Sequence, residues 1–250
     1  MALPDLSRTG WHIAATGTPA TRFQVFGERS SGTHFLRRLI ARNSPLEPTE
    51  ALGWTHGFPA MAAIPADTAI IAVVRRADDW SLSMHRKPWH TPPAMQRMPF
   101  DRFIRAEWLT IADRMRYFPQ VAELGGVGEP LQSDRHPLTG LPFANLFRLR
   151  TAKLIGLLSF AARGCSYTLV QLEAVQARPE AFLAALLPAL GQPAFAPPLR
   201  PVVKHLGSKF KPSVRTRPAT PAELAPTDLA FLREQVDPRL EERLGYRYGP

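Results

Sequence analysis

A glycine-containing loop near residue 30 carries side chains that could bind phosphate. The apolar run FQVFG at residues 23–27 ends in Gly27, and Gly32 follows after four intervening residues. An apolar pattern with helical spacing comes next. The order strand, tight loop and helix directs backbone N–H groups and the positive end of a helix dipole at an anion. The loop also contains a cation and several hydroxyl groups: Arg29, Ser30, Ser31 and Thr33.

The same loop lacks the residues that bind a triphosphate with its metal ion. In the pattern Gly-x-x-x-x-Gly-Lys-[Ser/Thr], the lysine reaches the β and γ phosphates and the hydroxyl binds Mg²⁺. Thr33 and His34 occupy these two positions. We therefore predict a site for a single phosphate that is held without a metal ion. The alternative is an ordinary strand-to-helix turn, in which Gly, Ser and Thr are common.

A second pair of candidate phosphate ligands follows an apolar strand. The segment DTAIIAVVRR at 67–76 contains an unbroken apolar row, which is typical of a strand buried on both faces of a parallel sheet. Arg75 lies at the end of this segment, and Ser83 follows eight residues later. An arginine at a strand end and a serine two turns into the next segment can converge on one phosphate.

A histidine between these two motifs is a candidate general base. His56 lies in the segment GWTHGFP at 53–59, which reads as a loop. Imidazole titrates near neutral pH, so it can accept a proton with little adjustment of its pKa. The alternative is a surface histidine without a catalytic role. For three further histidines we expect no functional role, and no pair of them has zinc-ligand spacing on one helix: His85, His90 and His136.

These motifs resemble those of the sulfotransferase superfamily. ERSSGTHFLRRL resembles the 5′-phosphosulfate loop, usually Lys-Ser-Gly-Thr-Thr, with Arg29 near the lysine position and His34 in place of the second threonine. VVRRADDWSLSM resembles the 3′-phosphate motif, with Arg75 and Ser83 as its arginine and serine. GWTHGFP resembles the Lys-Thr-His-x-Pro segment, with His56 at the position of the catalytic base.

The chain also departs from the family pattern. Trp54 stands where the family has its lysine before the histidine, and an extra residue precedes Pro59. YTLVQLEAVQARPEAFLAAL resembles the family's Leu-Val-x-Tyr-Glu-Asp-Leu strand and helix, but Leu172 and Ala174 replace the tyrosine and the aspartate. The matches together span roughly residues 23–190, with a divergent middle.

The resemblance implies a sulfotransferase that depends on 3′-phosphoadenosine 5′-phosphosulfate (PAPS). The fold would be α/β and P-loop NTPase-like, with three layers and a central, mostly parallel sheet flanked by helices. A sulfuryl group would move in line to a hydroxyl or amine of a small-molecule, sugar or lipid acceptor, and adenosine 3′,5′-bisphosphate would leave. His56 and Arg29 would be catalytic, with no metal. The residues that would bind the cofactor are Arg29, Ser30, Ser31, Gly32, Thr33, His34, Arg75 and Ser83.

Two other functions stay open. One is a P-loop nucleotide kinase or hydrolase, which is disfavoured by Thr33 and His34 and by the lack of an evident metal-binding aspartate after an apolar strand. The other is a non-catalytic nucleotide-binding protein on the same fold, which the departures at Trp54, Leu172 and Ala174 favour.

The composition favours anionic partners. Lys and Arg number 31 and Asp and Glu 21, which gives a formal charge of +10. No recognised nucleic-acid fold accompanies the basic residues, so we expect no nucleic-acid partner, whereas a peripheral membrane contact through the basic surface stays open. The single cysteine, Cys165, excludes an internal disulfide framework. Without an apolar signal segment, we expect a cytoplasmic location. The oligomeric state stays open.

Strands that alternate with helices predict one α/β domain over residues 1–250. An irregular arm is expected at 1–22, and a basic, proline-rich segment at 192–250, in which Arg200–Arg217 forms either a solvated loop or a flap over the ligands. Predicted strands lie at 23–27, 67–76 and 167–172, and predicted helices begin near Gly32 and cover 100–115, 143–163, 179–191 and about 221–236.

Overall fold

The computed structural model describes residues 6–203 and 210–249, and the structural statements below concern these residues. The chain divides into two compact units. The first unit consists of Met1–Arg76, Lys153–Leu206 and Asp237–Pro250. The second consists of Ala77–Ala152 and Gly207–Val236. The single domain expected from the sequence stays a prediction.

The first unit is built around a five-stranded sheet with the strand order β1-β5-β4-β2-β3. Its strands are β1 (Trp11–Ala14), β2 (Arg22–Gly27), β3 (Glu47–Pro48), β4 (Thr68–Val74) and β5 (Tyr167–Gln171). Strands β2 to β5 pair in parallel, and β1 pairs with β5 in the antiparallel direction. The predicted α/β class with a mostly parallel sheet is therefore confirmed.

The helices divide between the units as follows. In the first unit lie α1 (Thr33–Asn43), α7 (Leu172–Ala177), α8 (Pro179–Ala189) and α10 (Pro238–Arg243). In the second lie α2 (Ala77–Arg86), α3 (Pro93–Gln96), α4 (Phe100–Arg105), α5 (Pro119–Glu123) and α9 (Pro226–Gln235). The boundary between the units falls within α6 (Leu146–Leu158). Among the described residues, no helix combines the length and apolar composition that crossing a bilayer requires.

Both faces of the sheet are covered, which explains the apolar row in β4. All seven residues of β4 are buried, and side chains alternate between the faces of a strand. Ala69, Ile71 and Val73 belong to a core with α1 and α8 residues, and Ile70, Ala72 and Val74 belong to a core with residues from α6 and α10. Helices on both faces make this unit compatible with a three-layer fold.

Two predictions about local structure are wrong. The arm at 1–22 contains the strand β1, because Trp11 and Ile13 pack against the core while their backbone pairs with β5. The helix expected at 100–115 ends at Arg105, and Ala106 is extended. The Trp108 N–H then donates to the Phe143 carbonyl at 2.8 Å, so its indole is buried from an extended backbone.

The two ends of the described chain meet in the first unit. The Leu6 N–H donates to the carbonyl of Arg243, the last residue of α10, at 3.0 Å. The Gln171 amide, at the end of β5, donates to the Leu244 carbonyl at 2.5 Å. These bonds join the C-terminal segment both to the start of the chain and to the sheet.

Candidate phosphate site

The loop between β2 and α1 depends on both of its glycines. A Cβ atom at Gly27 would lie 2.7 Å from the Val73 carbonyl oxygen and from the Ser31 hydroxyl. Gly32 has a φ of 93°, and a Cβ atom there would lie 2.4 Å from a Leu172 methyl carbon. The backbone therefore passes close to β4 and to the end of β5, and only glycine fits at these positions. Leu172, a departure from the family pattern, fills the space beside the loop.

The start of α1 offers several backbone donors. The N-cap residue is Gly32, which has no side chain to cap the first N–H groups of the helix. Among the described residues, none accepts a hydrogen bond from the N–H groups of Gly32, Thr33 or His34. N–H groups at a helix start point away from the helix, where an anion can accept from them.

Ser31 and Ser30 have different positions in the loop. Ser31 is fully buried, and its N–H and its hydroxyl both donate to the Glu28 carbonyl, at 3.2 and 2.7 Å. The Ser31 hydroxyl therefore stabilises the turn of the loop between Glu28 and Ser31. Ser30 is half-buried and has a φ of 64°, an uncommon value for a residue with a side chain.

Arg75 reaches the same loop from the neighbouring strand. Strands β2 and β4 are parallel, with Gly27 opposite Val73, so both end at the same edge of the sheet. Arg75 follows β4 directly, and its Nη1 donates to the Ser30 carbonyl at 3.2 Å. Arg29 is only 5% exposed, and its guanidinium carbon lies 5.8 Å from the centre of the Trp54 ring. The structure thus brings both predicted arginines to one loop.

His56 is fixed against the strand that leads into the loop. Its Nδ1 lies 2.8 Å from the Gly27 carbonyl oxygen, and its ring centre lies 5.4 Å from that of Trp54 and 6.4 Å from that of His34. A carbonyl can only accept, so Nδ1 carries the proton. Nε2 then holds the lone pair that a general base requires.

The surroundings of His56 favour its neutral form. Burial is the largest cause and acts with the nearby charges of Arg29 and Lys153 to lower its pKa from 6.5 to about 3, although the hydrogen bond to Gly27 opposes the change. At neutral pH the imidazole is therefore unprotonated at Nε2, but it is a weaker base than the near-neutral titration expected from the sequence implies. A bound anion would offset the positive charges and raise this pKa, whereas the larger effect of burial would remain.

Lys153 is a residue of the site that the sequence analysis missed. It lies on α6 and is only 5% exposed. Its Nζ donates to the His56 carbonyl at 2.8 Å and lies 4.0 Å from the centre of the Phe58 ring. One turn further, a Cβ atom at Gly156 would lie 3.0 Å from Pro59. Helix α6 therefore holds the 54–59 segment closely. A lysine followed by a glycine one turn later in an apolar helix is the signal that could have identified it.

Glu173 is a second missed residue. Its Oε1 accepts from the Arg76 N–H at 3.0 Å, and its Oε2 accepts from the Tyr246 hydroxyl at 2.9 Å. It therefore fixes the end of β4 beside Arg75. Its position in the Leu-Val-x-Tyr-Glu-Asp-Leu-like segment was the available signal. At the next position, Ala174 packs so closely against Gly10 that a Cβ atom on Gly10 would lie 2.2 Å from the Ala174 methyl.

The remaining predicted residues lie elsewhere. Ser83 is half-buried on α2 in the second unit, and its pairing with Arg75 stays a sequence-based prediction. In the same unit, His85 contacts the Thr220 hydroxyl and the Met98 carbonyl at 2.8 and 3.0 Å. His90 is buried, with Nδ1 2.6 Å from Asp113 Oδ1.

The basic segment Arg200–Arg217 is only partly described, because Lys204 and Lys209 lie outside the described residues. Arg217 donates to the carbonyls of His85 and Arg86, at the C-terminal end of α2. A cation there stabilises the last carbonyls of a helix. This favours a structural role for Arg217 over a role in a ligand-binding flap.

Within the described part of the chain, no group of three or more His, Cys, Asp or Glu side chains is placed to hold a metal ion. The comparisons with known proteins give no family: no protein-family model and no curated protein matches the chain.

Proposed function

We propose that the protein is a PAPS-dependent sulfotransferase with a P-loop NTPase-like fold. The observation that carries the proposal is that residues from three separate sequence motifs meet at one loop. Arg75 contacts its Ser30, His56 contacts its Gly27, and Arg29 belongs to it. The strand–loop–helix order and the parallel neighbour β4 support the fold assignment.

The loop suits a phosphate group on which negative charge would develop as the sulfuryl group is transferred. Helix-start N–H groups and the buried Arg29 would hold the 5′-phosphate of adenosine 3′,5′-bisphosphate. Arg75, with Ser83 as the sequence predicts, would hold the 3′-phosphate. Ser31 would hold the loop in shape, since its hydroxyl donates to Glu28. Fixed donors of this kind need no reorganisation as charge develops on the departing oxygen.

When bound, PAPS would supply a sulfuryl group, which forms a bond to the acceptor oxygen or nitrogen as its bond to the phosphate oxygen breaks. Nε2 of His56 would take the acceptor's proton, because Nδ1–H is held by Gly27. Lys153 would keep His56 in place through its bond to the His56 carbonyl. Arg29 would neutralise the charge that the bisphosphate gains.

Thermal-shift titration of the full chain tests the proposal. Adenosine 3′,5′-bisphosphate without metal should stabilise the protein, by about 2.7 kcal/mol at 100 times its Kd. For a chain of this size, this corresponds to a rise in Tm of about 5–10 °C. Arg29→Ala and Arg75→Ala should each weaken binding at least about tenfold, because each removes a charged donor to phosphate. Arg42→Ala, an exposed arginine at the end of α1, is the matched control.

Each alternative gives a different result. A preference for ATP that requires Mg²⁺ would indicate a nucleotide kinase or hydrolase. Binding of the bisphosphate without sulfation of any hydroxyl or amine acceptor would indicate a non-catalytic nucleotide-binding protein. If the bisphosphate gives no stabilisation, or if Arg29→Ala binds it as tightly as the parent does, the phosphate site itself is refuted.

A further inference from the structure

The second unit contains a surface loop that is rich in apolar residues and buries none of them. The structure describes every residue of this 113–128 loop, and each of them is exposed or half-buried. Leu124 is 88% exposed, Met115 is 64% exposed and Val127 is 50% exposed. Single apolar side chains are common on a protein surface, whereas several on one loop indicate a contact with a partner or a membrane.

Backbone hydrogen bonds give the 113–128 loop a compact shape. At its base, the Gly128 N–H donates to the Ala112 carbonyl at 3.0 Å, and the Ala112 N–H donates to the Glu129 carbonyl at 2.9 Å. Between these ends lie a 3₁₀ turn at Met115–Tyr117 and the short helix α5. The exposed apolar side chains are therefore presented by a loop whose two ends meet.

Aromatic rings and arginines lie together at the base of the loop. The Arg116 Nη2 donates to the Tyr117 hydroxyl at 2.5 Å, and its guanidinium carbon lies 4.5 Å from the centre of the Tyr117 ring. The Tyr117 ring centre lies 6.1 Å from that of Trp89, and the guanidinium carbon of Arg114 lies 4.8 Å from the Trp89 ring centre. Tyr, Trp and Arg side chains combine an apolar body with a polar end, which suits the headgroup layer of a membrane.

Basic residues surround the base of the loop. The Arg114 Nη2 donates to the Lys211 carbonyl at 2.7 Å, so the segment that follows Phe210 lies beside the loop. The Arg217 guanidinium carbon lies 5.6 Å from the Phe210 ring centre, and its Nη1 donates to the Arg86 carbonyl at 3.0 Å. Clusters of about four to eight Lys and Arg residues attract anionic lipid headgroups. The exposed basic residues of this cluster are Arg86, Arg116, Lys211 and Arg215.

Nearby acidic residues leave an excess of positive charge. Asp113 is paired, with Oδ1 2.6 Å from His90 Nδ1 and Oδ2 3.6 Å from Arg114 Nε. The exposed acids of the loop and its base are Glu123 and Glu129, against the four exposed cations. The whole chain has a formal charge of +10, which favours an anionic surface and opposes the approach of a second copy.

We propose that the 113–128 loop docks on the surface of an anionic lipid bilayer. Leu124, Met115 and Val127 would enter the boundary between the headgroups and the acyl chains, and Tyr117 would lie among the headgroups. The exposed basic residues would face the lipid phosphates. The affinity of such a contact increases with the buried apolar area and with the attraction to anionic lipid. The proposal concerns the second unit alone and is independent of the phosphate site.

Co-sedimentation of the full chain with lipid vesicles, in the absence of nucleotide, tests this proposal. One set of vesicles is phosphatidylcholine alone, and the other contains about 30% phosphatidylserine. We expect binding at least about tenfold tighter to the vesicles with phosphatidylserine, because several basic residues contribute to the attraction. The difference should decrease as the salt concentration rises, because salt screens exposed charges.

Two pairs of variants test the two parts of the contact. Leu124→Ser should weaken binding to the anionic vesicles at least about tenfold, because it removes a leucine side chain that the bilayer would bury. Leu138→Ser, at a leucine that is 90% exposed on another loop of the second unit, should leave binding unchanged. Arg116→Gln should weaken binding about fivefold, and only to the anionic vesicles. Arg42→Gln, at an exposed arginine of the first unit, is its control.

The melting temperatures of both leucine variants should equal that of the parent, because both side chains are exposed. Equal binding to the two sets of vesicles, or no binding to either at millimolar lipid, would overturn the proposal. So would an equal loss of binding in a variant and its control. Self-association of the parent that Leu124→Ser abolishes, measured by analytical ultracentrifugation, would show instead that a second copy covers the loop.

Discussion

At the scale of single residues, the chemistry of the candidate site depends on how His56 is held. Gly27 fixes the proton on Nδ1, and burial with nearby positive charge keeps the ring neutral. The type of residue was visible in the sequence. Its tautomer and its lowered pKa were not, because the tautomer depends on the Gly27 carbonyl and the pKa depends on burial and on charges that include Lys153, 97 residues further along the chain.

The lowered pKa of His56 predicts a dependence of stability on pH. The folded-state pKa is about 3, below the ordinary 6.5, so between these values the unfolded chain binds a proton that the folded chain does not. The free energy of unfolding should therefore fall as the pH falls below 6.5, by up to about 1.4 kcal/mol per pH unit from this group. Above pH 6.5 the effect should vanish.

Urea unfolding of the parent and of His56→Gln between pH 7 and pH 5 measures this effect. The variant should lose less stability over this range than the parent does. His12→Gln, a histidine on the edge strand β1, is the control and should follow the parent. Parallel curves for the parent and His56→Gln would show that His56 titrates normally.

At the scale of elements, buried strands were predictable and elements that depend on distant partners were not. Strands β2 and β4 are almost wholly buried, so their apolar rows identify them. Strand β1 is four residues long and half-buried, so it carries a weak pattern and exists because β5 pairs with it. In the 100–115 segment, the apolar spacing also suits an extended chain that buries Trp108, and that arrangement is adopted.

The junction of β2 and α1 gives a prediction at this scale. Gly32→Ala should destabilise the protein for two reasons, a φ of 93° and a contact with Leu172. The φ alone costs about 1–2 kcal/mol, and overpacking adds about 1–3 kcal/mol. Gly17→Ala is the matched control, since Gly17 has a φ of 89° and no atom within 4 Å of an added Cβ.

Denaturant unfolding compares the two glycine variants. Gly32→Ala should lose more stability than Gly17→Ala, and the difference reports the contact between the loop and Leu172. Equal losses would show that Leu172 moves aside at no cost. Leu172 would then not be a wall of the loop.

At the scale of the whole molecule, the sequence indicated the α/β class but did not indicate that β1 forms the edge of the sheet beside β5. Strand β5 has β4 on one side and only the short β1 on the other. An apolar strand with unpaired N–H and C=O groups is a template for pairing between chains. Strand β1 therefore protects the edge of the sheet.

Deletion of residues 1–14 should expose this edge and cause aggregation that increases with protein concentration, as measured by light scattering. A synthetic peptide of residues 6–16 added to the deleted protein should reduce the scattering, because it can pair with β5. A scrambled peptide of the same composition should have no effect. A deleted protein that stays monomeric at high concentration would contradict a protective role for β1.

The hydrogen bond between Leu6 and Arg243 holds the backbone near the two ends of the described chain side by side. Most of the entropy lost in bringing these two ends together is already lost in the fold, so a short covalent linker across them would add little strain. The chain could then be opened at an exposed turn such as Gly125–Gly128 without breaking a strand of the sheet. In such a circularly permuted chain, β5 would come before β1 in the sequence, and the strand order in the sheet should stay the same.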